Sequence, residues 1–255
     1  MVIPNTINDV LMARIDRLDE KTRELVKIAS VIGRSFFYRI LTEVSKTIED
    51  LDNRLSYLQE IQLIRERERM EELEYLFKHA LAQEAAYESI LLQIRTELHL
   101  KVADSIEKVF NKRLHEFYGI LALHYGKAAA VNKAEEYLIS AGDEALKVSA
   151  SNEALYYYQE ALSLYLKLHE NETDPDKLAS FEKGIAVALY NKGQFSNAME
   201  YFDSVYSRWG VRYPKNKATM VISTLYNLST CVLHLYLKSK KKQKNPSKRE
   251  NDIFD

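Results

Sequence analysis

The stretch that decides the fold is residues 121–168, LALHYGKAAAVNKAEEYLISAGDEALKVSASNEALYYYQEALSLYLKL. One phrase recurs in it. Ala134 is followed by Tyr137, Leu138 and Ala141, and Ala154 by Tyr157, Tyr158 and Ala161; downstream, Ala198 is followed by Tyr201, Phe202 and Val205. A small residue, bulky apolar residues three and four places on, then another small residue make one helical face that lies close against a neighbouring helix. A single unit of this kind cannot bury its face alone, so its repetition predicts stacked helical hairpins. Such a surface suits the holding of other proteins rather than catalysis.

Composition agrees with long helices. The 255 residues include only 7 Gly and 4 Pro, too few for the frequent turns of a β-sandwich. Hydrophobic residues make up 46% and charged residues 29%, an ordinary balance for a globular chain able to bury a real core. The single cysteine, Cys231, leaves no internal disulfide and no cysteine-based metal cluster to expect, and points to a reducing, cytoplasmic setting. The opening MVIPNTINDV lacks a basic segment followed by an apolar core, so no secretory signal is expected.

Charge is unevenly placed. The net charge is −1, yet residues 238–249 hold seven basic side chains and no acidic one, so the remainder sums to about −8 (−1 minus +7). An acidic body is a poor match for nucleic acid.

In the first 112 residues the spacing predicts a series of helices. Thr6 and Asp9 resemble a capping box, followed by Ile7, Val10, Leu11, Ile15 and Leu18 on one face. Asp19 can cap a second helix carrying Leu25, Ile28, Ala29 and Ile32, with Gly33 as its stop. A short helix is expected from Ser35 to about Val44, and another from Thr47 with Ile48, Leu51, Leu55, Leu58 and Ile61 inward. Leu63, Ile64 and then residues 73–77 flank a charged segment, 65–72, that reads as the turn of a β-hairpin. Helices resume from His79 to about Lys112, with a bend expected near 93–96.

Three helices followed by a two-stranded wing is the order of a winged helix. Its third helix, the usual groove reader, carries Glu49, Asp50, Asp52 and Glu60 against one Arg54. Phosphate neutralisation by Lys and Arg dominates DNA affinity, so this unit is expected to be structural or regulatory.

From about 114 to 210 the pattern is similar to tetratricopeptide repeats, with small residues at fixed places within 34. Leu138, Ala141, Gly142 and Ala145 fall in a first helix; Ala154, Tyr158 and Ala161 fall in a second. A later copy has Gly193 in its turn, Phe195 two residues on, then Ala198 and Phe202, without a first-helix glycine. Residues 171–177, NETDPDK, read as an inserted loop that stretches the spacing between copies from 20 to 44 residues. The spacing of 20 is shorter than one repeat, so the first two copies are expected to share a helix.

Residues 218–237 contain no formally charged side chain and run directly into lysines. Thr219, Ser223, Asn227, Thr230 and His234 trace one polar side, with Val221, Ile222, Leu225, Leu228, Val232, Leu235 and Tyr236 opposite. The polar stripe argues for a helix of the next repeat rather than a membrane span, with its apolar face left for a partner. The remaining segment, 238–255, has a disordered composition.

Catalytic signatures are missing from the sequence. It holds no GxxxxGK[ST] or GxGxxG, no GxSxG, no kinase HRD or DFG, and no HExxH among its six histidines. No catalytic residue and no metal ligand is assigned, and the chain alone is expected not to be an enzyme.

Four segments in order carry a family resemblance: ARIDRL at 13–18, ASVIGRSF at 29–36, YLFKHALAQEAAYESIL at 75–91 and LHLKVADSIE at 98–107. They resemble the region that follows the nucleotide-binding module in AAA-related, STAND-type signalling ATPases. Those proteins often carry a class III adenylate or guanylate cyclase, or a serine/threonine kinase. The resemblance, over about residues 2–213, implies a mainly α chain. A winged-helix-like domain with one small β-hairpin and connecting helices would span 1–112, a tetratricopeptide-like α-solenoid 113–237, and a basic tail 238–255.

It further implies a non-catalytic regulatory and protein-interaction module of a signal-transduction ATPase, coupling nucleotide state to partner binding. Protein partners would sit on the repeats, with Ala134, Tyr137, Ala141, Gly142, Ala154, Tyr158, Ala161, Gly193, Ala198 and Phe202 as packing positions. The chain itself would hold no cofactor; ATP or ADP would enter through a separate nucleotide-binding domain in cis or trans. His79 is the one residue carried over. In related STAND proteins a histidine in a Met-His-Asp setting contacts ADP phosphates, and Lys78-His79-Ala80 keeps only the histidine. Arg14, Asp16 and Arg17 could pair with that domain. Neither nucleic acid nor membrane is expected as a partner. A fragment of a cyclase or kinase, and a transcriptional regulator, are the rival expectations.

Overall fold

The computed structural model describes residues 7–169, 173–211 and 217–236. The Thr6 cap and the basic segment 238–255 lie outside them, as do the side chains of 7–10, 217 and 234–236. The chain is mainly helical with one small antiparallel sheet. It divides into two compact units, Met1–Lys167 and Leu168–Asp255. The division falls inside the segment expected to carry repeats.

The first unit begins with α1 (Ile7–Asp16) and α2 (Glu20–Ile32). Asp19 starts α2 as expected: its carboxylate accepts the Thr22 N–H at 3.2 Å, satisfying one of the orphan donors of the first turn. Gly33 ends it with φ +144°, its N–H donating to Ala29 O at 3.1 Å. Leu25, Val26 and Ala29 are buried; each large side chain so placed contributes about 1.5–3 kcal/mol.

Ser35 does not start a helix. Ser35–Phe37 is a strand, β1, followed by the short α3 (Tyr38–Val44). The helix α4 is Leu51–Glu60, entered through Asp50 in a left-handed conformation, so Thr47 is no cap. The charged segment 65–72 is not a long turn either. β2 (Ile64–Arg69) and β3 (Glu72–Phe77) pair down to Arg69↔Glu72, leaving only Met70 and Glu71 as the loop. Both have positive φ, 56° and 59°, the geometry of a primed two-residue turn. The sheet order is β1-β3-β2, and Phe36 of β1 lies opposite Tyr75 of β3.

Glu74 explains why charged side chains tolerate β2. It is 1% exposed, and Arg67 and Arg69 from the neighbouring strand cover it, Arg69 at 3.3 Å. A buried carboxylate is held only when paired in this way.

Helices α5 (Ala80–Glu88) and α6 (Leu92–Val109) follow, broken at Leu91 (φ −59°, ψ 142°) rather than at 93–96. A 3-10 segment, Asn111–Phe117, leads into α7 (Tyr118–Lys127), α8 (Val131–Lys147) and α9 (Ser151–Leu168). Two apolar clusters fill this unit. One joins Ile15, Leu25, Phe36, Leu55 and Phe77; the other joins Val102, Ile106, Phe110, Phe117, Leu121 and Tyr125.

The second unit contains α10 (Pro175–Asn191), α11 (Phe195–Arg208) and α12 (Lys217–Tyr236). Asp174 caps α10 by accepting the Asp176 N–H at 2.9 Å, and Pro175 occupies the first turn, where its missing N–H costs nothing. The second half of the expected insertion is therefore the start of a helix. Gly193, at φ +75°, makes the turn between α10 and α11. Glu182, 8% exposed, clasps α11: Arg208 donates to both its oxygens at 2.9 Å and Ser204 to one at 2.8 Å.

Among the described residues, no helix is long and apolar enough to cross a membrane.

Candidate functional site

Helices α7, α8 and α9 enclose an open groove of about 550 Å3, within the roughly 300–1,000 Å3 of ligand clefts. Gly119, Leu123 and Lys127 line it from α7, Leu138 from α8, and Tyr157 and Leu164 from α9. Gly119 sets its depth. A Cβ at that position would stand 2.3 Å from the Tyr157 hydroxyl oxygen, so only glycine lets the tyrosine approach α7 this closely. Lys127, Glu160 and Lys167 supply a rim of mixed charge. Leu123 and Tyr156 are each 57% exposed, apolar area in reach of an incoming chain.

The expected packing residues lie on successive helices. Ala134 (1% exposed), Tyr137 and Ala141 face inward from α8; Ala154 (0%), Tyr158 and Ala161 (0%) do so from α9. Gly142 of α8 meets Tyr158 of α9, where a Cβ would come 2.9 Å from the ring. The Tyr158 hydroxyl donates to Asp143 at 2.5 Å. Ala198 is buried in α11 and Phe202 half-buried.

Of the partners that complete each small–small pair, the sequence disclosed Gly142 but not Ala122 or Ala186. Ala122, Gly142 and Ala186 stand twelve positions before Ala134, Ala154 and Ala198, and all six are buried. Ala122 lies on α7 and Ala186 on α10. The signal that finds them is the fixed offset of twelve, since an isolated alanine in a helix attracts no notice.

Two side-chain networks fasten α7 and α8 to the preceding helices. In the first, Glu107 of α6 accepts from Tyr137 at 2.6 Å and from Lys133 at 3.0 Å, both on α8. Tyr125 of α7 donates to Asp104 at 3.0 Å and receives Lys133 at 2.8 Å. Burial acts to raise Glu107, but the hydrogen bonds from Tyr137, Lys133 and Tyr125 outweigh it and hold the carboxyl below its usual range. Burial, with Glu107 next, pushes the Tyr125 and Tyr137 hydroxyls well above theirs.

The second network is a buried histidine pair. His99 of α6 and His124 of α7 approach at 2.8 Å between their Nδ1 atoms, and Tyr87 of α5 lies 3.0 Å from His99 Nε2. One ring must donate and the other accept, so the contact requires both to be neutral or singly shared. Burial, with Lys127 and Arg95 nearby, lowers His99 to about 4. Burial and then His99 lower His124 to about 3, opposed only by the Ile32 backbone. His124 Nε2 is itself buried without completing a hydrogen bond.

His79 stands apart from both. It is exposed at the start of α5, with φ −121° and no side-chain capping bond. Its neighbour Lys78 donates to Gln62 at 2.5 Å. Arg14 donates to the Ile61 carbonyl at 3.0 Å, and Asp16 pairs with Arg23 at 3.9 Å. Among the described residues no cluster of three or more His, Cys, Asp or Glu could hold a metal ion.

No family model matches the chain, and no solved structure matches it significantly. It is similar to an uncharacterized protein of Rhizobium meliloti (strain 1021), 31% identical over 99 residues. The match covers 39% of this chain but only 10% of that protein's length.

Proposed function

We propose that the chain is a regulatory, protein-binding module whose partner is a peptide segment seated in the α7–α8–α9 groove. The groove is the observation that carries this reading: an exposed apolar channel with a charged rim, built by a glycine at the point of closest approach. Such channels receive extended or helical segments through side-chain pockets rather than through chemistry. The offset of twelve between buried small residues, repeated in α7/α8, α8/α9 and α10/α11, supports a tetratricopeptide-like array. In it α8 serves two pairs, as a copy spacing of 20 requires.

The order α2-β1-α3-α4-β2-β3, with β1 added to the hairpin through β3, supports a winged helix for the region before α5. The acidic α4 argues against a DNA-reading role for it. The Glu107 and His99–His124 networks would then join winged helix and array through α6, so that occupancy of the groove biases how the winged helix docks on a nucleotide-binding domain. That domain, of STAND-ATPase type, is supplied in cis or trans, and His79, exposed at the head of α5, is available to meet a phosphate oxygen there.

The test is selection of peptides from a displayed library on the full chain, followed by fluorescence anisotropy. Selected peptides should lose at least about tenfold in affinity on Leu123→Glu, a change of about 1.4 kcal/mol. Peptides indifferent to this substitution, or no binder at all, would refute the groove.

A further inference from the structure

Between α3 and α6, both in the first unit, lies an open cavity of about 350 Å3. Lys101, Ser105 and Lys108 line it from α6, and Lys46 and Thr47 enter from the turn after α3. Positions 101, 105 and 108 are four and three apart, so these side chains share one side of the helix. Glu43 and Asp104 also border the cavity. Three lysines against two carboxylates leave it at +1, on a chain whose net charge is −1.

The carboxylates are already engaged. Lys46 and Lys108 both donate to the same oxygen of Glu43, each at 2.7 Å. Asp104 accepts from Tyr125 at 3.0 Å and lies 4.0 Å from Lys133. Lys101 is exposed and has no acidic partner among the described residues. Ser105 is only 7% exposed, yet among the described residues nothing hydrogen-bonds its hydroxyl. Other helical serines close on the carbonyl four positions back, as Ser56 does on Asp52 and Ser140 on Glu136. Leaving a buried hydroxyl unmated costs stability, and the cavity that Ser105 lines is where a partner for it would stand. Lys46 beside Glu43 suits the negative end of α3. Neither Lys101 nor the Ser105 hydroxyl is explained that way.

We infer that this cavity binds a small phosphate compound, with the phosphate among Lys46, Lys101 and Lys108 and the Ser105 and Thr47 hydroxyls donating to its oxygens. Lysines meet phosphate as point charges, and hydroxyls complete the shell through charge-assisted hydrogen bonds. Glu43 is the resident counter-ion of the empty cavity. A phosphate near its second ionisation carries up to two charges and three strong acceptor oxygens, so it displaces the single carboxylate oxygen from the two ammonium groups. The volume falls at the small end of ligand clefts, which suits a compact molecule rather than a polymer. Bound phosphate would tie the turn after α3 to α6. None of these residues lines the α7–α8–α9 groove, and the inference is independent of it.

The experiment is isothermal titration calorimetry of the full chain with inorganic phosphate and with glycerol 3-phosphate, in a low-salt chloride buffer, with glycerol as the neutral control. At least one of the two anions should bind saturably and weaken as salt is raised, while glycerol gives no heat. Equal affinities assign free phosphate; binding of glycerol 3-phosphate at least about tenfold tighter assigns an organic phosphate. Lys101→Gln should weaken binding by about tenfold and Ser105→Ala by about threefold. Neither should lower the melting temperature of the unliganded chain, because neither side chain has a partner in it. Glu43→Gln should tighten binding by about threefold, since it removes the competing charge. No saturable binding of either anion at millimolar concentration overturns the inference. So does binding that survives both Lys101→Gln and Ser105→Ala unchanged, which would mark an adventitious ion only. A lower melting temperature for unliganded Ser105→Ala also overturns it, since the hydroxyl would then serve the fold.

Discussion

Gly142 and Tyr158 touch across α8 and α9, so closely that a Cβ on the glycine would lie 2.9 Å from the tyrosine ring. The ring cannot swing aside, because its hydroxyl is bonded to Asp143 at 2.5 Å and the side chain is 4% exposed. Alanine would gain up to about 1 kcal/mol of helix propensity, but the contact outweighs it. Gly142→Leu should cost about 1–3 kcal/mol as an overpacking change, read as a lower urea midpoint. An unchanged midpoint would mean that the two helices do not pair as described.

Gly193 provides a contrasting case. No atom lies within 4 Å of a Cβ added there, but its φ is +75°. Gly193→Ala should therefore cost about 1–2 kcal/mol through backbone strain alone. Gly193→Asn should recover part of that loss in the same urea experiment, since asparagine tolerates this region.

Glu71 is exposed and held at φ +59° in the two-residue loop between β2 and β3. Glycine relieves that strain, so Glu71→Gly should raise stability by about 0.5–1 kcal/mol. Thermal denaturation of the full chain measures it; a lower melting temperature would contradict the turn geometry.

The histidine pair makes stability depend on pH. Both groups are lowered in the folded state, to about 4 and about 3, from an ordinary 6.5. The unfolded chain thus binds protons first, and stability present above about pH 6.5 is lost as pH falls toward 4. For the pair the loss is on the order of 3 kcal/mol. Urea midpoints measured from about pH 7 down to about 5, above the carboxylate range, should fall steadily. The double variant His99→Phe, His124→Leu should flatten that slope; an equal slope would remove the pair as its cause.

The elements that the sequence discloses are those whose signals are local. Asp19 and Gly33 bracket α2 because a capping carboxylate and a positive φ are requirements of single residues. The strand β1 escaped because Ser35–Phe37 is three residues long and its pairing with β3 is a contact across some forty positions. The strand β2 reads as a turn because Arg65, Glu66, Arg67, Glu68 and Arg69 are all exposed, and only the burial of Glu74 beneath Arg67 and Arg69 shows their purpose. Of the groove, Leu138 and Tyr157 stood out as part of the repeated phrase, whereas Gly119 and Leu123 acquire meaning only when α7 and α9 come together. His99 and His124 are 25 residues apart on different helices, and no spacing rule joins them.

Tyr137 and Glu107 test the fastening of α8 to α6. Tyr137→Phe removes a 2.6 Å hydrogen bond to a carboxylate and should cost about 1.5–3 kcal/mol. In a double-mutant cycle with Glu107→Gln the two losses should be less than additive by at least about 0.5 kcal/mol. Strict additivity would show that the bond does not link the helices.

The groove is tested most directly by hydrogen exchange, read by mass spectrometry, on the full chain with and without a library-selected peptide. Binding should slow exchange in peptides from α7, α8 and α9, with further protection reaching α6 through Glu107 and His99. Protection confined to other helices, or none at saturating peptide, would contradict the account.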